Sequence, residues 1–192
     1  MGAAFSAFFR KLFKKLEVRI VMVGLDESGK SSILSKIKGV NAVPVPTVGY
    51  NYDKVVIDKT TFCVWDVGGQ EKIRGLWPHY YKGSKAMIFV VDSADHRRIT
   101  CGHPETNCNQ CAACELRKLL NSPDLAESTF LIFANKQDLP GALHVEQIHS
   151  ALGLPNDPRR KIHIQPCSAL TSEGLAAGFT WLSDNLPPGA SE

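Results

Sequence analysis

Lys30 and Ser31 close the run Gly24-Leu25-Asp26-Glu27-Ser28-Gly29-Lys30-Ser31, which reads G-x-x-x-x-G-K-[ST]. That spacing suits a phosphate group. Glycines let the backbone wrap close to phosphate oxygens, with several N–H groups turned inward. Lys30 would reach the outer phosphates, and the Ser31 hydroxyl would ligate Mg²⁺. A second run, Asp66-Val67-Gly68-Gly69-Gln70, carries matching chemistry. An Asp at a strand end beside such a loop can hold Mg²⁺, often through water. Gly68 and Gly69 free the backbone to approach a γ-phosphate, and Gln70 could orient an attacking water. Thr47, in Pro46-Thr47-Val48-Gly49, sits where a second hydroxyl could reach Mg²⁺ and sense the terminal phosphate.

The third site is Asn135-Lys136-Gln137-Asp138. The Asp138 carboxylate can accept from both N1–H and the 2-amino group of guanine. Adenine lacks both donors, so its binding would leave that carboxylate unpaired. Asn135 would brace the loop and the Lys136 stem would cover the base. The backbone N–H groups of Cys167-Ser168-Ala169 could meet the guanine O6.

These residues need a scaffold, and the pattern around them predicts one. Val18 to Val23 is apolar and β-branched enough for a buried strand, and Ser32 to Ile37 looks helical. Gly39 to Pro46 reads as a loop. Tyr50–Ile57 and Thr61–Asp66 flank a short turn and predict a hairpin. Ala86–Asp92, Phe130–Ala134 and Lys161–Pro166 predict further strands. A closing helix is expected from Ser172 to Leu186, with Leu175, Phe179 and Leu182 on one side. Ile73, Leu76, Trp77, Tyr80 and Tyr81 form an apolar cluster, part core and part candidate partner surface. The expected fold is a doubly wound α/β sheet of six strands, mostly parallel, with one antiparallel strand from the hairpin and helices on both faces. Ligand would sit at the strands' carboxyl ends.

The chain has 192 residues, enough for one α/β domain, and its 21% charged and 44% hydrophobic content is ordinary for a soluble protein. The net charge of +3 is uneven. Residues 1–20 carry Arg10, Lys11, Lys14, Lys15 and Arg19 against Glu17, a balance of +4, which leaves the rest at −1. The basic excess therefore belongs to the N-terminal arm and argues for no nucleic-acid-binding face. No apolar run is long enough to span a bilayer, and nothing resembles a secretory signal. Six cysteines in a chain of this size do not make a secreted disulfide scaffold, so a reducing, cytosolic compartment is expected.

Met1-Gly2-Ala3-Ala4-Phe5-Ser6 fits the N-myristoylation pattern M-G-x-x-x-[ST] at Gly2. Phe5, Phe8, Phe9, Leu12, Phe13 and Leu16 then recur at helical spacing, with Arg10, Lys11, Lys14 and Lys15 opposite. A basic amphipathic helix of that kind suits an anionic membrane surface. The same aromatic stripe would also pack on the body of the protein. An arm that docks and releases serves both, because one acyl chain binds membranes only marginally. The expected organisation is 1–16 arm, 17–186 nucleotide-binding domain and 187–192 short tail without a prenylation Cys.

The order P-loop, P-T-V-G, D-V-G-G-Q, N-K-Q-D, C-S-A resembles the Arf/Arf-like small GTPases over nearly the whole length. Gly2 with its arm, the Gly24-Leu25-Asp26 start and Trp65-Asp66-Val67-Gly68-Gly69-Gln70 favour that branch. The resemblance implies a switch that binds GDP and GTP with Mg²⁺, hydrolyses GTP slowly, and recruits effectors to intracellular membranes, Golgi or endosomal, when GTP-loaded. It implies Gln70, Lys30 and Thr47 in catalysis, and Asp26 to Ser32, Thr47, Gly69, Asn135, Lys136, Asp138, Cys167, Ser168 and Ala169 around the nucleotide. Asp26, Glu27, Ser28, Gly29, Lys30, Ser31 and Ser32 make up that first stretch, and Ser31, Thr47 and Asp66 hold the metal. Tyr50, Trp65 and Tyr80 match the family's aromatic triad on the effector surface, with Tyr50 where Phe is commoner. It further implies a monomer with an exchange factor and a GTPase-activating protein as partners. The latter would supply an arginine, since none in the sequence can be placed as a built-in finger. Finally it implies a toggle, in which the hairpin slips by about two residues, keeps its side-chain facing, and displaces the N-terminal helix.

Two departures stand out. Glu27-Ser28 replaces smaller residues, and a charged Glu27 near the phosphates would alter affinity or exchange unless it points to solvent. Thr100 to Cys114 is roughly ten residues longer than a direct helix from Arg98 needs. It holds Cys101, His103, Cys108, Cys111 and Cys114, with Cys111 and Cys114 spaced to share a helix face. Four thiolates suffice for tetrahedral zinc, with His103 a substitute ligand. Reduced cysteines packed into the following helix, palmitoylation and redox sensing remain alternatives. His79, His96, His144, His149 and His163 read as surface or partly buried residues. Rival functions are a non-hydrolysing, nucleotide-dependent scaffold whose Cys-rich insertion docks a partner, and a P-loop kinase with a preference for ATP.

Overall fold

A computed structural model describes residues 16–39, 47–57, 60–101, 108–155, 157–158 and 160–187. The arm with Gly2, the loop up to Pro46, the hairpin turn at 58–59, His103 and the tail beyond 187 lie outside the described residues.

Six strands form one sheet: β1 (Leu16–Val23), β2 (Tyr50–Ile57), β3 (Thr60–Val67), β4 (Ala86–Asp92), β5 (Thr129–Asn135) and β6 (Ile162–Pro166). The helices are α1 (Lys30–Ile37), α2 (Glu71–Arg74), α3 (Pro78–Tyr81), α4 (His96–Ile99), α5 (Ala112–Leu120), α6 (Val145–Leu152) and α7 (Leu175–Asp184). Strand order is β2-β3-β1-β4-β5-β6. β2 pairs antiparallel with β3, and every other pairing is parallel. The expected six-stranded architecture is what the chain adopts.

Strand side chains alternate between two cores, as the two-residue period requires. Val21 and Val23 of β1, Met87 and Phe89 of β4, and Phe130 and Ile132 of β5 face one core. Leu116 and Leu119 of α5 and Ile148 and Leu152 of α6 complete it. Val18, Ile20 and Met22, with Ile88 and Phe133, face the other core under Ile33 and Leu34 of α1 and Leu175, Phe179 and Leu182 of α7. Burying each such aromatic or aliphatic side chain is worth about 1.5–3 kcal/mol before entropy is counted. Because both faces are covered, the central strands read as continuous apolar runs.

The closing helix stops at Asp184, two residues short of the expected Leu186. Pro187 disfavours helical geometry at its predecessor, and Asn185 instead donates its side chain back to the Trp181 carbonyl at 2.9 Å. The apolar cluster after Gln70 divides: Trp77 and Tyr81 are buried, whereas Leu76 is 48% exposed. Among the described residues no helix is long and apolar enough to cross a membrane.

Candidate functional site

β1 delivers the chain into the P-loop, and α1 carries it away with its N-terminus toward the loop. Gly29 caps that helix at φ +93, a left-handed conformation natural to glycine. A Cβ there would lie 2.2 Å from Asn135 Nδ2. Lys30 is buried, and its Nζ donates to the Gly24 and Leu25 carbonyls at 2.9 and 2.8 Å. Burial pulls the Lys30 ammonium down to about 8, against the opposing pull of Asp66 and Asp26. A phosphate beside it would favour the charged form that burial disfavours.

Three oxygen-bearing side chains converge next to it. Ser31 Oγ donates to Asp66 Oδ2 at 2.7 Å and lies 3.0 Å from Thr47 Oγ1. Thr47 Oγ1 is 3.5 Å from the same carboxylate oxygen and accepts from Asn51 Nδ2 at 3.2 Å. Asp66 is fully buried, and its Oδ1 has no hydrogen-bond partner among the described residues. Burial pushes its carboxyl above the usual range, although Ser31 and Lys30 oppose this. An oxygen-only donor set with one orphaned carboxylate oxygen fits a hard divalent cation such as Mg²⁺.

Asp26, Glu27, Gly29, Lys30, Ser31, Ser32, Thr47, Gly69, Gln70 and Lys136 line one cavity of about 510 Å³. Ser28 is turned to the strand side of the loop, near Val90 and Val91. Glu27 points to solvent, with 81% of its side chain accessible and Arg98 Nη2 3.8 Å away. Its carboxylate is therefore solvated and faced by Arg98, although the residue also lines the cavity. Gln70 is exposed at the mouth and immediately precedes α2. Gly69 must be glycine, because a Cβ would sit 2.3 Å from the Gly24 carbonyl oxygen.

At the other end, Asn135 is buried and ties two loops together. Its Nδ2 donates to the Ser28 carbonyl at 2.8 Å, and its Oδ1 accepts from the Ala169 amide at 2.9 Å. Ser168 Oγ donates to Asp138 Oδ1 at 2.5 Å. Lys136 takes a left-handed conformation at φ +67, and its Nζ pairs with Asp92 at 2.6 Å. The three amides expected to meet guanine O6 already have internal acceptors. Cys167 N–H donates to Ala134, Ser168 N–H to Glu173 and Ala169 N–H to Asn135. An O6 oxygen at Ala169 would have to share that N–H with Asn135. Burial, with Asp138 adding to it, pushes the Cys167 thiol up to about 12.

Several participants were not visible in the motifs. Arg74 is buried, donates Nε to the Gly69 carbonyl at 2.6 Å and pairs with Asp26 at 3.0 Å. Its Nη1 also donates to the Asn109 carbonyl. Trp77 Nε1 donates to the Gly68 carbonyl at 2.9 Å. Arg98 spans Asp26 at 2.9 Å and Asp95 at 2.5 Å. Burial opposes it, but Arg98 and Arg74 hold the Asp26 carboxyl below the ordinary range. Arg74 and Arg98 are thus both engaged by Asp26 of the P-loop.

Tyr50, Trp65 and Tyr80 meet, with ring centroids 5.0, 5.5 and 5.9 Å apart. Tyr52 joins them at 5.1 Å from Trp65, and the Arg19 guanidinium lies 4.7 Å from the Trp65 ring. Tyr50 and Tyr52 are 49% and 45% exposed.

The insertion brings its four cysteines together. Cys101, Cys108, Cys111 and Cys114 place their sulfur atoms all within 4.8 Å of one another. Cys114 lies in the first turn of α5, whereas Cys111 is extended and caps that helix rather than sharing a helical face with it. None of the six cysteines is in a disulfide.

Comparison with known proteins places this geometry. The model of the ADP-ribosylation factor family matches residues 5–186. The solved structure of the Arl6 (BBS3) small GTPase from Trypanosoma brucei, with a bound GppNp nucleotide analogue, is 34% identical. It superposes with a TM-score of 0.75 over 88% of this chain and 96% of its own. The chain belongs to the ADP-ribosylation factor family, and its activity is that of a GTP-binding small GTPase switch.

Proposed function

We propose that the protein is a Mg²⁺-dependent GTP switch that hydrolyses GTP slowly alone and engages effectors at a membrane when GTP-loaded. The observation that carries this reading is the convergence of Ser31, Thr47 and Asp66 beside Lys30, with Asp66 Oδ1 left unpartnered. Ser31, Thr47 and Asp66 would hold the cation, which when bound neutralises charge on the outer phosphates. Lys30 and the P-loop amides grip those phosphates. Asp138, oriented by Ser168, would select guanine.

Thr47 lies on the cation side, which supports reading this as the triphosphate-bound arrangement. In it Tyr50 pairs with Val67, and the Gly68 amide donates to the Gly49 carbonyl at 2.9 Å. Loss of the γ-phosphate would release Thr47 and the strand that follows it, changing the surface around Tyr50, Trp65 and Tyr80. That surface is the effector site in this reading. With Arg74 and Arg98 held by Asp26, a GTPase-activating protein supplies the missing arginine.

Gln70 stands at the cavity mouth as the residue that would position water. Gln70→Leu should lower single-turnover phosphate release by about 100-fold or more while GTP affinity stays within a few-fold, by analogy with the size of such effects at acid–base and water-positioning groups. Wild-type phosphate release in the presence of an activating protein would remove Gln70 from the mechanism. Retention of bound GTP by the wild type itself under the same conditions would favour the scaffold reading. Membrane attachment through Gly2 and the basic arm has its own test. Gly2→Ala should move the protein from the membrane pellet to the soluble fraction of expressing cells, and unchanged pelleting would contradict the arm as anchor.

A further inference from the structure

We propose that Cys101, Cys108, Cys111 and Cys114 form a closed tetrathiolate site for one structural Zn²⁺, which staples the insertion beside the nucleotide-binding face. The proposal rests on this cluster alone and does not depend on the switch function.

The sulfur spacings carry it. Cys108 Sγ lies 3.4 Å from Cys111 and 3.5 Å from Cys101, and Cys101 lies 3.6 Å from Cys114. A zinc ion bonds thiolate sulfur at about 2.3 Å in a tetrahedron, which sets the sulfur–sulfur edge at roughly 3.8 Å. These three edges are slightly shorter than that and all four sulfurs lie within 4.8 Å of one another, so small outward shifts would seat the ion. They are far too long for disulfides, whose sulfurs sit about 2.05 Å apart. Apolar packing accounts for burial of Cys111 and Cys114 in the core, but it does not require four sulfurs from three separate stretches of chain to converge on one point.

The surroundings suit anionic sulfur. The Cys114 amide donates to Cys111 Sγ at 3.5 Å, and Arg117 Nη2 lies 3.6 Å from Cys114 Sγ. Cys111 caps α5, so its sulfur meets the positive end of that helix. All four positions of the tetrahedron are filled by protein, the arrangement of a structural rather than a catalytic zinc. Soft thiolates exclude Mg²⁺ and Ca²⁺.

The site also has something to hold. Cys101 leaves α4 and Cys108 starts the return, so the metal pins both ends of the segment between them. One residue on, the Asn109 carbonyl accepts from Arg74, and Asn109 Oδ1 accepts from Lys118 Nζ at 2.6 Å. Arg74 in turn grips Gly69 and Asp26. Asn109 is thereby tied to the residues around Gln70.

The test uses the full chain, purified with bound nucleotide under reducing conditions. Elemental analysis should give about one zinc per chain, as one four-ligand site demands. Exchange into Co²⁺ should produce thiolate-to-cobalt charge-transfer bands and the d–d bands of tetrahedral cobalt. Cys108→Ser and Cys111→Ser should abolish both signals, and Cys63→Ser should leave both intact. Guanine nucleotide binding by the variants reports whether they have folded. Should the Ser variants fail to fold, the cobalt spectrum of the wild type decides. Absence of zinc and of the cobalt bands after metal reconstitution overturns the proposal. So does iron in zinc's place, or a non-reduced mass lower by two hydrogens per cysteine pair.

Discussion

Lys30→Met should weaken GDP and GTP binding by about 100- to 10,000-fold while changing the stability of the nucleotide-free protein by less than about 1 kcal/mol. The first half follows from charge. A charge-assisted hydrogen bond contributes about 1.5–3 kcal/mol, and the ammonium can make two to the outer phosphates. Each 1.4 kcal/mol is tenfold in affinity. The second half follows from what Lys30 does in the empty site. Among the described residues its Nζ donates to the Gly24 and Leu25 carbonyls alone, and burial already depresses its charged form. Methionine keeps the apolar stem and removes the buried charge. The neighbouring residues Asp26 and Gly29 line an open cavity, from which water can reach those carbonyls and replace the lost donor. Fluorescent-nucleotide titration measures the affinity, and thermal unfolding of the empty protein measures the stability. Near-wild-type affinity would mean that Lys30 does not reach the phosphates.

Asp138→Asn should cost at least about 100-fold in GDP affinity, because two charge-assisted hydrogen bonds are at stake at about 1.5–3 kcal/mol each. The asparagine keeps one acceptor but turns an NH₂ toward the guanine 2-amino group, donor against donor. Xanthine carries a carbonyl at that position, which the new NH₂ can satisfy, so XDP should bind the variant better than GDP does. Asp138 is exposed before a base arrives, which holds the expected loss near the lower bound. Ser168 Oγ fixes the carboxylate from beneath, and the asparagine oxygen can accept the same bond. Competition of XDP against GDP measures the outcome. Unchanged GDP preference would place the base elsewhere.

The strands and the three motif loops were legible because they depend on local pattern. Ile20 to Val23 alternates between two cores, and a stretch buried on both faces must be apolar throughout. The G-K-S, D-V-G-G-Q and N-K-Q-D runs each follow such a strand, so their positions came with the strand assignments. What spacing could not show was tertiary pairing between motifs. Arg74 and Arg98 reach Asp26 across 48 and 72 residues of chain. Nothing in the local sequence marks either as a partner. The same limit applied to the Cys167–Ala169 amides. Their internal acceptors lie on Ala134, Glu173 and Asn135, which only the folded loops bring near. Glu27 was legible as an oddity, but its exposure was not, since that depends on the fold and a φ of +62. For the insertion, composition announced four thiols, yet only the fold shows that Cys101, at the exit of α4, meets Cys114 in the first turn of α5.

The aromatic surface makes the same point from the other side. Tyr50, Trp65 and Tyr80 were identifiable through the resemblance to the family's aromatic triad. Tyr52 and Arg19 joined them because alternate residues of β2 share a face and β1 lies beside β3. Arg19 stacks on Trp65 and donates to the Tyr80 carbonyl at 3.1 Å, so it fixes the ring that a partner would meet.

Equilibrium titration of the nucleotide-free chain with GDP, GTP and ATP in the presence of Mg²⁺ puts the whole account to its most direct trial. One-to-one uptake of both guanine nucleotides, with ATP at least about 100-fold weaker for want of the donors that Asp138 reads, is the expected result. No uptake of either guanine nucleotide, or ATP competing on equal terms, would contradict it.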